Sequence, residues 1–187
     1  MFKYVIKKIF GCGDWLHNYV ILRINGVKFG KNLVINGRIQ ISNHGSIEIG
    51  DDVIINSGLR HNPIGGHTKT VFIVYSSGIL KIGNRVGISN STIVAQEIVM
   101  ICDGALVGGG CNIWDTDFHS LDANIRGTTH DRGATRPVYI GEMAFLGAHS
   151  IVLKGSRIGR RSIVGAGSVA SFNLPDDQIF PTRRSKE

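Results

Sequence analysis

An all-β solenoid, wound from short strands on a six-residue period, is the fold class this sequence predicts. Three observations predict it. Five consecutive six-residue words run from Ile140 to Val169: IGEMAF, LGAHSI, VLKGSR, IGRRSI and VGAGSV. Their first positions (Ile140, Leu146, Val152, Ile158, Val164) are all aliphatic, and their fifth (Ala144, Ser150, Ser156, Ser162, Ser168) are all small. A helix repeats every ~3.6 residues and a strand every ~2, so a fixed period of six marks a repeat in which each word is one face of a coil. The same step links Ile82, Ile88, Val94, Met100 and Leu106, and links Phe29, Ile35, Ile41 and Ile47 before a slip to Ile49 and Ile55. Finally, 25 glycines and only 7% aromatics suit many tight turns around a narrow core, and the glycines do not recur every third residue as in collagen.

Taken in order, the chain is expected to have an N-terminal helical segment over 1–24, a solenoid over 25–175 and a C-terminal tail over 176–187. Residues 2–10 are amphipathic at helical spacing, with Phe2, Val5, Ile6, Ile9 and Phe10 on one face and Lys3, Lys7 and Lys8 on the other. Gly11 and Gly13 are expected to break this helix. Asp14 then caps a second, with Trp15, Leu16, Tyr19 and Val20 on its apolar side. Such helices cover the open end of a solenoid, or lie in a membrane interface with lysines toward anionic headgroups. The six-residue phase fails between Ile55 and Ile82 and again between Leu106 and Ile140. Two excursion loops are therefore expected near 56–79 and 112–138, where solenoids carry their binding chemistry.

At 187 residues the chain makes one domain. Its net charge of +7 points to an anionic partner, a phosphorylated cofactor or a membrane surface. Nucleic acid is not expected, because no recognised binding motif is visible. Cys12, Cys102 and Cys111 are odd in number and lack metal spacing, which predicts a reducing, cytoplasmic location. No apolar run is long enough to span a bilayer. Peripheral contact with the inner face of a membrane is expected if the N-terminal segment binds lipid.

The segment Trp114-Asp115-Thr116-Asp117-Phe118-His119-Ser120-Leu121-Asp122 begins the second loop. His119, flanked by acids at a coil-to-loop junction, is a candidate general base; a solvated loop histidine is the ordinary alternative.

With the words above, IWDTDFHSLD makes residues 29–175 resemble the hexapeptide-repeat acyltransferases. The branch resembled is that of the galactoside, maltose and nodulation O-acetyltransferases and related polysaccharide O-acetyltransferases. The resemblance implies a left-handed parallel β-helix of triangular coils, a homotrimer with sites between subunits, acetyl-CoA as donor, a sugar or glycan acceptor and no metal. His119 matches the family's catalytic histidine. Ser89 stands where that branch often has an acceptor-binding asparagine, and Glu97 where it has an acidic sugar-binding residue. Asp117 and Arg126 of the same loop join them as acceptor-side candidates. Phe145 takes the place of a usual tryptophan. Ala148 and Ala166 match positions whose backbone lines the pantetheine channel, and Lys154, Arg160 and Arg161 occupy outward positions where CoA phosphates would pass. Phe180-Pro181-Thr182-Arg183-Arg184 matches the family's glycine-x-proline ending only loosely. The implied function is acetyl-CoA-dependent O-acetylation with His119 as base. N-acetylation of an amino sugar or nucleotide sugar could use the same histidine, and a non-catalytic β-helix scaffold is a further alternative. A zinc hydrolyase of the γ-carbonic-anhydrase kind wants a second histidine where Asn124 stands.

Overall fold

The computed structural model describes residues 2–181, with side chains from residue 13 onward. Among the described residues twenty short strands wind into a three-sided coil in which every ladder is parallel. The first sheet contains β1 (Lys28–Phe29), β4 (Ser46–Ile49), β7 (Ile79–Ile82), β10 (Ile98–Ile101), β13 (Val138–Ile140), β16 (Arg157–Ile158) and β19 (Asn173–Leu174). The second contains β2 (Val34–Asn36), β5 (Ile54–Asn56), β8 (Gly87–Ser89), β11 (Leu106–Val107), β14 (Phe145–Leu146), β17 (Ile163–Val164) and β20 (Ile179–Phe180). The third contains β3 (Gln40–Asn43), β6 (Val71–Val74), β9 (Thr92–Ala95), β12 (Asn112–Trp114), β15 (Ile151–Val152) and β18 (Val169–Ala170). Each strand pairs with its counterpart one coil away, as Ile82 does with Ile101, Ile101 with Ile140 and Ile140 with Ile158.

The interior is one apolar column, aliphatic for the most part, with Phe72 fully buried in it. Ile140, Leu146, Val152, Ile158 and Val164 are all buried, as the words predict. The small residues before them turn the corners and satisfy backbone there: Ser156 Oγ donates to Ala170 O (3.0 Å) and Ser162 Oγ to Pro175 O (2.6 Å).

The second stretch corrects the predicted phase. Met100 is half-buried and Leu106 is 52% exposed; the inward residues are Ile101, Val107 and Ile113. The pairing of Ile82 with Ile101 makes that coil nineteen residues long, one more than three words. Its four-residue strand β10 also points two side chains inward, Val99 and Ile101. Bounds shift as well. Residues 71–74 are strand β6, so the first excursion is confined to 57–70, and the second covers 115–137. Strand β20 pairs with β17, so the coil continues past the boundary expected at 175.

The N-terminal segment is a single helix, α1 (Phe2–Ile24), that runs through Gly11 and Gly13 without a break. The expected placement of Phe2, Lys3, Val5, Ile6, Lys7, Lys8, Ile9 and Phe10 lies outside the described side chains. α1 packs on the first coil through β2 and β3. Its inner face is not the predicted apolar one. Asn18, 3% exposed, donates from Nδ2 to Gly37 O (2.8 Å) and accepts from Ile39 N (3.2 Å), so it satisfies the open edge of the coil, with Leu22 buried beside it. Arg38 Nε donates to Asp14 Oδ1 at 2.7 Å. Trp15, Leu16, Tyr19 and Val20 face outward. Among the described residues no helix is long and apolar enough to cross a membrane.

Ile158→Asp should unfold the chain while Arg160→Asp should not. A buried unpaired carboxylate costs several kcal/mol, a large share of a domain's stability, whereas Arg160 sits in an exposed pair with Asp176. Thermal melts of the two variants check this, and equal melting temperatures would contradict the inward lattice.

Candidate active site

The excursion 115–137 leaves the coil after the third sheet and returns to the first, so it stands on the corner between them. Its root is fixed by a buried acid. Asp115 accepts the backbone N–H groups of Gln96 and Glu97, each at 2.7 Å, and so ties the loop to the turn one coil below. Burial pushes its carboxyl above the ordinary value, against the opposing pull of those N–H groups. Thr116 Oγ1 donates to Gln96 Oε1 and accepts from Phe118 N at 3.1 Å. Thr116 also bridges Thr135 across the loop's neck.

The next residues turn sharply. Phe118 has φ of 64°, a left-handed conformation unusual for an aromatic residue, and His119 N donates back to Asp117 O at 2.7 Å. Phe118 packs edge-on against Trp114 at 5.6 Å. The returning arm of the loop crosses so closely at Gly133 that a Cβ there would lie 2.5 Å from Phe118 N. This turn lifts His119 outward, with its side chain 70% exposed.

His119 Nδ1 lies 2.8 Å from Asp131 Oδ2. Asp131 is itself held, accepting from Ser120 N (2.6 Å) at Oδ1 and from Gly127 N (2.8 Å) at Oδ2. These two N–H groups first, and then the His119 ring, hold its carboxyl down at about 2. A carboxylate at Nδ1 fixes the tautomer with the proton on that nitrogen and leaves the Nε2 lone pair for chemistry. Sequence reading missed this role for Asp131, because Asp117 and Asp122 are nearer His119 in the chain and nothing in the spacing favours the more distant acid.

The other predicted residues are distributed over the coil. Glu97 shares the His119 corner through the Asp115 clamp. Ser89 ends strand β8, at the second sheet's edge toward the third. It closes an amide ladder in which Asn36 Nδ2 donates to Asn56 Oδ1 (3.0 Å) and Asn56 Nδ2 to Ser89 Oγ (3.2 Å). Phe145 lies on the outer face of the second sheet. Ala148 and Ala166 stack at that sheet's edge toward the third, where a Cβ on Gly147 would reach Ala166 N at 2.4 Å. Arg160 and Arg161 stand at its other edge, paired with Asp176 and Asp177.

Three of the expected site residues, Lys154, Asp117 and Arg126, are held in contacts of their own. Lys154 does not stand outward as expected: it is largely covered at the His119 corner and pairs with Asp117 (3.2 Å). The pair satisfies Asp117 Oδ2, which is otherwise without a hydrogen bond. Arg126 braces the loop from within, with Nε donating to Ser120 O (2.9 Å) and Nη2 to Leu121 O (3.0 Å). Cys111 is buried with its thiol on Gly147 O (3.1 Å), and burial pushes its pKa up, away from nucleophilic use. Among the described residues no group of three or more His, Cys, Asp or Glu gathers as metal ligands do.

Residues 137–170 match the family model described as bacterial transferase hexapeptide (six repeats). A galactoside O-acetyltransferase of Lactococcus lactis is 36% identical over 48% of this chain and 42% of its own length. The bifunctional protein GlmU of Zymomonas mobilis is 30% identical over 86% of this chain and 33% of its own length. The chain thus spans less than half the length of these curated relatives. Among solved structures, a mutant of the Bacillus cereus N-acyltransferase AntD, in complex with dTDP and coenzyme A, superposes with a TM-score of 0.67 at 23% identity, over 88% of this chain and 86% of that one. A hexapeptide-repeat acetyltransferase of Vibrio cholerae complexed with acetyl coenzyme A gives 0.58 at 19%, over 91% and 75%. The resemblance read from the words Ile140–Val169 therefore stands. The three-sided coil is the left-handed parallel β-helix of hexapeptide-repeat proteins.

The depressed carboxyl of Asp131 gives a pH signature with a definite sign. Its folded value lies below the ordinary 3.8, so the loop's stabilisation is present above that value and is lost as pH falls toward about 2. Hydrogen-exchange protection of the Ser120 and Gly127 amides should collapse across this window, and Asp131→Ala should lack that protection at every pH. Unchanged protection in the variant would remove Asp131 as the organiser of the loop.

Proposed function

We propose that this chain is an acyltransferase that moves an acetyl group from acetyl-CoA to a hydroxyl of a sugar or surface-polysaccharide precursor, with His119 as general base. The observation that carries this reading is the His119–Asp131 pair on a braced loop, which presents an outward imidazole with its tautomer fixed. The substrate hydroxyl oxygen attacks the thioester carbonyl carbon while Nε2 of His119 takes the hydroxyl proton. The tetrahedral oxyanion collapses, the C–S bond breaks, and His119 returns the proton to the departing CoA thiolate. Holding both substrates together is enough, and no acyl-enzyme is needed. Two structures of this fold with coenzyme A or acetyl coenzyme A bound support the donor.

The outer face of the second sheet suits CoA. Phe145 lies in its middle, the backbone at Ala148 and Ala166 along one edge, and Arg160 and Arg161 along the other, where phosphates would compete with Asp176 and Asp177. Phe145 and His119 lie at separate places on one protomer, so a site using both is completed by two subunits. A homotrimer satisfies this. It also covers a ladder of apolar side chains in register on that face: Val34, Ile54, Leu106, Phe145, Ile163 and Ile179, interrupted only by Gly87. Light scattering should give three chains per particle, and a fully active monomer would contradict the shared site.

One observation favours a second reading, N-acylation of an amino sugar: the likeness to AntD, solved elsewhere with dTDP-4-amino-4,6-dideoxyglucose and coenzyme A. A thiol-release assay with matched hydroxyl and amine acceptors separates the two. In either case His119→Ala should lower kcat by about 10²–10⁴, the usual contribution of a positioned acid–base group. Acetyl-CoA affinity and fold should be retained, and a variant keeping most of its turnover would remove His119 from the mechanism.

A further inference from the structure

The outer face of α1 is largely uncovered by the described residues. Trp15, Leu16, Tyr19, Val20 and Ile24 are all exposed, from 42% at Tyr19 to 72% at Ile24, while Asn18 and Leu22 hold the inner side. On a helix turning about 100° per residue, these five and Arg23 share one side. Trp15 and Tyr19 stack at 5.6 Å, and the Arg23 guanidinium lies 5.3 Å from the Tyr19 ring and 5.7 Å from that of Phe29. Beneath the two stacked rings, Asn18, Leu22, Phe29, Leu33 and Ile35 line a cleft of about 100 Å³. Docking of the helix does not use this stripe, because Asn18 and Leu22 already make that contact. An exposed aromatic and aliphatic stripe on an otherwise docked helix marks an interaction surface.

The geometry points to an anionic phospholipid bilayer as the occupant. Tryptophan and tyrosine beside an arginine suit the boundary between headgroups and acyl chains, with the rings in the apolar layer and the cation among phosphates. Charge selects the bilayer over a second copy. The chain carries +7, α1 contains Lys3, Lys7, Lys8 and Arg23, and its only acid is Asp14, which is engaged with Arg38. A second copy brings a further net charge of +7 toward Arg23 on this face, whereas an anionic headgroup layer neutralises it. The cleft beside Trp15 gives an acyl chain or its end a place to enter. This docking is independent of the acyl-transfer reading.

Flotation of the full chain with vesicles of 3:1 phosphatidylcholine and phosphatidylglycerol tests the inference. The chain should float with these vesicles at low salt, lose binding as salt rises, and float poorly with phosphatidylcholine alone. The double variant Leu16→Gln, Val20→Gln should bind at least ten-fold less, with an unchanged melting curve, since both side chains are exposed. Absence of flotation at low salt, equal flotation by the double variant, or equal binding to phosphatidylcholine alone would each overturn it. So would a change in particle mass by light scattering in the double variant with no change in flotation, which would assign the face to a second copy. Thiol release with a soluble acceptor, measured on the same variant, should be unchanged and so separates this surface from the chemistry.

Discussion

Every strand in this protein must lie one strand spacing, about 4.8 Å, from the strand a full coil earlier. That single requirement shapes everything else. It forces an apolar side chain inward on each of three sides per coil, as Ile82, Ile101, Ile140 and Ile158 do in one column. It favours small residues inside many corners, such as Ala105, Ala144, Ser150 and Ser162, because a neighbouring coil passes immediately above and below. Polar chemistry is left only the outer faces, the corners, and loops inserted where the chain can depart and return without disturbing the ladder.

The loop 115–137 meets that constraint at its root and escapes it at its tip. Asp115 binds the turn below, and Val138 resumes pairing with Val99 after the excursion. Between these anchors the loop is organised by its own polar contacts, with Asp131 receiving Ser120 and Gly127 and aligning His119. The left-handed turn at Phe118 and the absent side chain at Gly133 bring the histidine out at that point. A rigid coil thus supplies position, and a separately braced loop presents an exposed histidine, the base of the proposed mechanism.

Legibility followed the same division. The words from Ile140 to Val169 were readable because two-residue strands point one side chain inward per word, so sequence period and structural period coincide. The region from Val94 to Leu106 misled because four-residue strands bury two side chains, Val99 and Ile101, and an added residue shifts the phase. The helix misled through its glycines and its apolar stripe. Docking on an open coil edge calls for a hydrogen-bonding residue, and Asn18 supplies it, so the buried face is partly polar. His119 was recognisable from its flanking residues. Asp131 was not, since only the folded loop decides which of several acids reaches the ring. Lys154 and Asp117 were each read alone, and their pairing required the third dimension.

The proposed site depends on parts that a single protomer keeps apart, the His119 corner on one side and the second sheet's outer face, with Phe145, on another, and in the proposed reading subunit association joins them. A crystal structure of the oligomer with coenzyme A tests this most directly. The account predicts the CoA sulfur in the cleft between the His119 loop of one subunit and the second sheet of its neighbour, about 3–3.5 Å from His119 Nε2, the reach that proton return to the thiolate demands. Coenzyme A bound with its sulfur remote from His119, or wholly within one protomer, would contradict it.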